Sequence, residues 1–221
     1  MQKVDFIYSN NLIDYNFATH FMQNKVKNII NNQENGAIWL LEHNSIYTLG
    51  KNSTHSDIRS KINIPYIYTN RGGRITYHGP GQKMIYVMLD IKKVYHNKPN
   101  VRLFIEMLQD WIILILQQNN ILSYKNVKQI GVWVKTHNIN KKIASIGLRI
   151  KKWISYHGLA LNINPDMRYF NYIHPCGIHN CNMTSMFLEK NLSIQNSKMN
   201  TIIKNSFFHI FKCRLDKEYE V

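Results

Sequence analysis

The sequence predicts an α/β protein of the α+β kind, a mixed β-sheet with flanking helices packed on it. Three observations carry this reading. Short apolar runs of strand length recur along the chain. Three other stretches repeat their apolar residues at helical spacing. The two kinds of element do not alternate strictly, which argues against a doubly wound parallel sheet. The chain has 221 residues, 44% of them hydrophobic, enough for one sizeable core. No repeat, linker or composition break divides it, so a single domain over residues 1–221 is expected.

Each element has its own signal. Tyr15, Ala18, Met22 and Ile29 recur near helical spacing and predict a first helix from Asn11 to Asn28. Asn35-Gly36 is a turn signal. The run from Ala37 to Glu42 is too short for a helix and predicts a buried strand. Ile46 to Gly50 follows, then a polar segment to Lys61 that predicts loop. Ile64 to Tyr68 starts a strand, with Pro65 tolerated at its beginning. Met84 to Asp90 predicts another strand. Asn100, after Pro99, suits the N-cap of a long helix to about Asn119. Leu103, Phe104, Met107, Leu108, Trp111, Ile112 and Ile115 give that helix a wide core face. Ile130 to Val134 and Lys142 to Gly147 predict a hairpin with its tip at His137 to Asn140. Trp153 to Ile163 is the next strand, His174 to Gly177 a turn, and Leu192 to Phe211 a final helix.

The chain is organised around Arg71-Gly72-Gly73-Arg74-Ile75-Thr76-Tyr77-His78-Gly79-Pro80-Gly81-Gln82. Glycine permits positive φ and close approach of a ligand to the main chain. Pro80 fixes φ and restricts Gly79 before it. A stiff, irregular loop hung between two strands presents binding groups well. It fits neither G-x-G-x-x-G nor the Walker pattern, so neither a dinucleotide nor a P-loop site is predicted.

Lys and Arg number 28 against 13 Asp and Glu, a formal net charge of +15. A basic surface favours acidic partners. A general bias of the chain toward Asn, Ile and Lys would produce the same excess. The basic residues are dispersed and the glycine-rich loop is not an RNA-binding signature, so a nucleic-acid-binding module rests on charge alone. Cys176, Cys181 and Cys213 are too few and too odd in number for a disulfide framework, which suits a reducing compartment. The N-terminus shows no apolar h-region, so no signal peptide is expected. The most apolar stretch, Trp111 to Leu116, is too short to span a bilayer. A soluble protein with no membrane partner is the expectation.

Cys176 stands between Pro175 and Gly177, in a turn able to present a thiol as a nucleophile. A cysteine in a turn is also often just a small buried side chain. Activation needs a base or cation nearby, and Lys142, His78, His157 and His174 are available. Lys142 opens an otherwise apolar strand, where it is either a proton acceptor or a solvated hairpin lysine. Cys176, His179 and Cys181 lie close in sequence, but no second ligand pair stands at the spacing of a structural zinc site.

Taken together, four blocks resemble the octanoyltransferases that build protein-bound lipoate, the lipoyl(octanoyl) transferases. The first is Arg71-Gly72-Gly73-x-x-Thr76-Tyr77-His78-Gly79-Pro80-Gly81-Gln82. The second is Lys142 to Arg149, the third His157 to Asn162, and the fourth Pro175 to Ile178 with Thr184-Ser185 trailing. They occur in the family's order, within a resemblance running from about Tyr8 to Phe211. The resemblance implies the fold shared by biotin and lipoate protein ligases. It implies Cys176 as acyl-carrying nucleophile and Lys142 as its activator. It also implies an acyl site lined by Arg71, Gly72, Gly73, Arg74, Ile75, Thr76, Tyr77 and His78, by Ala144, Ser145 and Ile146, and by His157, Gly158 and Leu159. The implied donor is octanoyl-acyl carrier protein. The implied acceptors are lipoyl domains of 2-oxoacid dehydrogenase complexes and the glycine cleavage H protein. No cofactor or metal is expected, and the place is the cytoplasm. An ATP-dependent lipoate or biotin protein ligase shares the fold but would need no cysteine.

Overall fold

A computed structural model describes residues 1–95, 98–178, 181–192 and 194–221. The chain runs β1 (Gln2–Ile13), α1 (Tyr15–Ile30), β2 (Gly36–His43), β3 (Ile46–Leu49), β4 (Tyr66–Tyr68), β5 (Thr76–His78), β6 (Gln82–Met88), α2 (Ile91–Val94), α3 (Val101–Gln117), β7 (Tyr124–Asn126), β8 (Gln129–Thr136), β9 (Ile139–Lys151), β10 (Ile154–Asn162), β11 (Asn182–Met183), α4 (Met186–Lys190), α5 (Asn196–Ile210) and β12 (Cys213–Glu220).

The large sheet has the order β12-β1-β2-β6-β10-β9-β8-β7, with β11 added beside β9. Its β1–β2 and β1–β12 pairs are parallel and its β2–β6, β6–β10, β10–β9 and β9–β8 pairs antiparallel, so the sheet is mixed as expected. A small sheet, β4-β3-β5, stands beside it.

Alternation along the central strands explains their unbroken apolar runs. Ala37, Trp39 and Leu41 of β2 face α1, where Ala18, Met22, Val26 and Ile29 cover them. Ile38 and Leu40 face the other way, toward Phe104, Leu108 and Trp111 of α3 and Ile203 and Phe207 of α5. A strand covered on both faces has no polar side to show. A third cluster, Tyr47, Leu49, Ile75, Tyr77, Phe170 and Ile173, holds the small sheet.

Helix ends follow from capping. The Asp14 carboxylate accepts from the Phe17 amide at 2.9 Å, and the Asn100 side chain from the Leu103 amide at 3.1 Å. The first helix therefore starts at Tyr15, and Asn11 to Ile13 instead complete β1. The final helix, expected from Leu192 to Phe211, is α5, and a short helix before it was not expected. Ser185 caps α4, which ends where Asn191 takes a left-handed φ of 52°, and α5 begins at Asn196. Thr76 to His78, expected as irregular loop, forms β5.

Candidate active site

Lys142 Nζ donates a hydrogen bond to Cys176 Sγ at 3.0 Å. Lys142 is 1% exposed, so the solvated-lysine alternative does not hold. No described carboxylate pairs with it; the Trp133 ring centroid lies 5.4 Å from Nζ. Room for its stem comes from Gly131, at φ +136°, where a Cβ would stand 2.3 Å from Lys142 Cε. Strand alternation turns Lys141 the other way, and it pairs with Glu189 at 3.3 Å.

Cys176 sits at the centre of a short turn with a left-handed φ of 59°, half-buried. Its amide donates to the Ile75 carbonyl at 3.1 Å. Gly177, at φ +68°, lies against the Arg74 side chain so closely that a Cβ would stand 2.0 Å from Arg74 Cδ. Arg74 is in turn paired with the buried Asp57 carboxylate at 3.0 Å, and the Asp57 carbonyl accepts from the His174 amide at 2.7 Å. The glycine-rich loop and the cysteine turn are thus one clamped unit.

A narrow cleft opens beside the thiol. Arg71, Gly73, Arg74, Thr76, His78, Ser145, Ile146, His157, Gly158, Leu159 and Cys176 line it, joined by Tyr15, Met84, Tyr86, Gly147 and Ala160. Four of the expected residues stand elsewhere. Gly72 lines a neighbouring groove and bonds the Leu148 carbonyl at 2.9 Å. Ile75 is core and anchors the cysteine turn, while Tyr77 stacks on Tyr169 at 4.6 Å and Ala144 is fully buried.

A polar chain ties the site to the sheet. His78 Nδ1 donates to Gln82 Oε1 at 2.7 Å, Gln82 Nε2 to Asn162 Oδ1 at 2.8 Å, and Asn162 Nδ2 to the Thr184 carbonyl at 2.9 Å. The Thr184 amide closes on the Lys142 carbonyl at 2.9 Å. Arg71 is held by the Thr48 carbonyl at 2.7 Å and the Thr48 hydroxyl at 2.8 Å. Burial pushes His157 down to about 3 and His78 well below its usual range, each reinforced by nearby positive charge. Both rings are therefore neutral at pH 7 and supply no cation to a thiolate. Lys142 is the candidate activator whose hydrogen bond to the sulfur is described.

Sequence reasoning missed Asp57, Gly131, Tyr15 and Glu189. Asp57 was legible in principle: Thr54-x-x-Asp57 has the form of a capping box, and the Thr54 amide donates to the Asp57 carboxylate at 2.9 Å. Gly131 reads as an ordinary strand glycine until the lysine beside it is placed. His179 of the zinc triplet lies outside the described residues.

Residues 14–208 match the family model described as the lipoyl protein ligase A/B catalytic domain. An octanoyltransferase of Wolbachia pipientis wMel is 43% identical over 94% of this chain and 99% of its own. One from Ehrlichia canis (strain Jake) is 44% identical over 90% of this chain and 92% of its own. A solved bipartite lipoate protein ligase of Thermoplasma acidophilum, studied with its E2 lipoyl domain, superposes with a TM-score of 0.70 at 10% identity, covering 99% of this chain and 88% of that one. The chain belongs to the lipoyl protein ligase A/B catalytic-domain family. Within it the activity is that of the octanoyltransferases: octanoyl transfer in protein lipoylation, an acyltransferase reaction.

Proposed function

We propose that residues 1–221 form one catalytic unit that moves octanoyl from octanoyl-acyl carrier protein through a thioester on Cys176 to a lysine of a lipoyl domain. The observation that carries this reading is the 3.0 Å contact between Lys142 Nζ and Cys176 Sγ beside the cleft. The Cys176 sulfur attacks the donor's thioester carbonyl, its proton passes to Lys142, and the carrier thiol leaves with a proton. One thioester replaces another, so no nucleotide is consumed. The acceptor's lysine amine then attacks the acyl-enzyme, giving an amide and returning the thiol. Lys142 takes the amine's proton in that second step.

The cleft suits the octanoyl chain, with Met84, Ile146, Leu159 and Ala160 as apolar wall. The Gly73 and Arg74 amides carry no hydrogen bond among the described residues, which supports them as the oxyanion donors; the Gly72 and Cys176 amides are already used. The acceptors are lipoyl domains of 2-oxoacid dehydrogenase complexes and the glycine cleavage H protein, and the place of action is the cytoplasm. Among the described residues no helix is long and apolar enough to cross a membrane.

Intact-protein mass spectrometry after incubation with octanoyl-acyl carrier protein tests the nucleophile. The parent, Cys181→Ala and Cys213→Ala gain one octanoyl group that hydroxylamine removes. Cys176→Ala gains none; labelling retained in that variant overturns the assignment.

A further inference from the structure

β9 is longer than its neighbours. Its pairing with β8 ends at Val132↔Ala144, while its pairing with β10 continues to Lys151. From Ser145 to Lys151 no described strand pairs with the β8 side, and the glycine-rich loop touches it at Leu148 alone among the outward residues. The only described backbone bond on that edge runs from the Gly72 amide to the Leu148 carbonyl. Residues two apart turn their backbone groups to the same side. The outward Leu148 carbonyl therefore marks the Ile146 and Ile150 N–H and C=O, and the Leu148 N–H, as outward and without a described partner. The turn at Lys152-Trp153 agrees. Both residues have positive φ, which makes Lys151–Ile154 the closing hydrogen-bonded pair and puts Ile150 and Leu148 out of register for bonding to β10.

Open apolar strand edges are an aggregation liability that proteins usually pair, cover or charge. This one lines a groove that reaches Cys176 and Lys142 and shares Gly73, Ile146 and Gly147 with the acyl cleft. Ile130, 54% exposed, and Val101 and Ile105 of α3 make its far wall. Lys51, Lys128 and Arg149 stand on its lining, with no acidic residue among them. From Ile146 to Ile150 the edge spans about 13 Å at ~3.3 Å per residue. That is longer than the four-carbon stem of an acceptor lysine. A long, narrow occupant with spaced amides, apolar segments and an anionic root matches it on every count.

We propose that this open edge of β9 binds the pantetheine arm of the acyl donor in extended form. One of its amides pairs with the outward groups of Ile150, beyond the Gly72–Leu148 bond, and its phosphate lies on Lys51, Lys128 and Arg149. The arm thereby delivers the thioester to Cys176 from the groove while the octanoyl chain enters the cleft beyond it. The proposal rests on the carrier-protein donor of the transfer reading.

The test compares two donors in single-turnover acylation of Cys176: octanoyl-acyl carrier protein, and octanoyl-N-acetylcysteamine, which keeps the thioester and one amide but lacks the second amide and the phosphate. Ile150→Pro deletes one outward N–H at an edge position where proline is tolerated. Ile130→Trp fills the groove from an exposed position and does not depend on the strand accepting proline. In each variant the preference for the carrier donor, as a ratio of kcat/KM, falls about three- to tenfold, the scale of one hydrogen bond. A ratio equal to the parent's in both variants overturns the proposal. So does slowing confined to the chase of preformed acyl-enzyme with a lipoyl domain, which would give the edge to the acceptor. Acylation by neither donor, in the parent itself, overturns the transfer reading instead.

Discussion

Lys142 is held where three constraints meet: burial within the sheet, the space left by Gly131, and the Thr184 amide on its carbonyl. Lys142→Met keeps most of the stem and deletes the amine. Iodoacetamide should then alkylate Cys176 at least tenfold more slowly, on the scale of a positioned general base, and both half-reactions should slow with it. Gly131→Ala should do the same with the amine still present, because the new methyl takes the space of Lys142 Cε. Lys141→Met serves as control: it loses a partly exposed ion pair worth ~1 kcal/mol or less and leaves the thiol's reactivity unchanged. The other cysteines give a pH test. Burial pushes Cys181 and Cys213 up to about 11 each, so both stay protonated, and poorly nucleophilic, until the pH approaches that value. Alkylation followed by peptide mass spectrometry at pH 8 should mark Cys176 first. Faster labelling of Cys181 or Cys213 in the folded protein would contradict the placement of these thiols.

Among the elements, the strands with two buried faces were legible and the edges were not. β2 and β6 read directly from apolar runs, because helices cover both their faces, and β10 from a run that alternates toward its end. β12, Cys213 to Glu220, is exposed over most of its length and carries no alternation to detect. β1 was missed at the other edge: Ser9-Asn10-Asn11 break its pattern, and Leu12-Ile13 blend into the helix that Asp14 starts. The site was legible where chemistry demanded rare combinations, as in Gly-Gly beside arginine or cysteine between proline and glycine. It was not legible where the demand is spatial, as at Asp57 or Gly131. The cysteine turn supplies an element-scale prediction. Gly177→Ala forces a methyl against Arg74 and strains a positive φ, at a cost of order 1–3 kcal/mol. Urea denaturation measures that loss, and acylation of Cys176 should fall by more than the loss of folded protein explains. A fall matching the unfolded fraction alone would mean that the Arg74–Gly177 contact does not position the thiol.

Across the whole molecule, three buried histidines set the response to acid. Burial lowers His43 to about 4 and His157 to about 3, and takes His78 well below its usual range. In the unfolded chain each binds its proton near pH 6.5. Between those values the unfolded state holds more protons, so stability is full above about pH 6.5 and falls as the pH drops toward the folded values. Each histidine contributes up to about 1.4 kcal/mol per pH unit within its window. Thermal melts at pH 7, 6 and 5 should fall stepwise, and a flat profile would contradict the neutral assignment. The charge of +15 belongs to the same scale. If it steers acidic protein partners, salt near 1 M, where the screening length is about 3 Å, should slow acylation by the carrier protein far more than by a short octanoyl thioester. Equal sensitivity would assign the charge to residue bias.

The relay through Cys176 is tested most directly by isolating the acyl-enzyme, free of donor and nucleotide, and adding an unmodified lipoyl domain. Intact mass should show the octanoyl group leaving the enzyme and appearing on the domain in equal amount, as a hydroxylamine-stable amide. An acyl-enzyme that persists, with the domain modified only after ATP is supplied, would contradict the account and place this chain's chemistry with the adenylate-forming ligases.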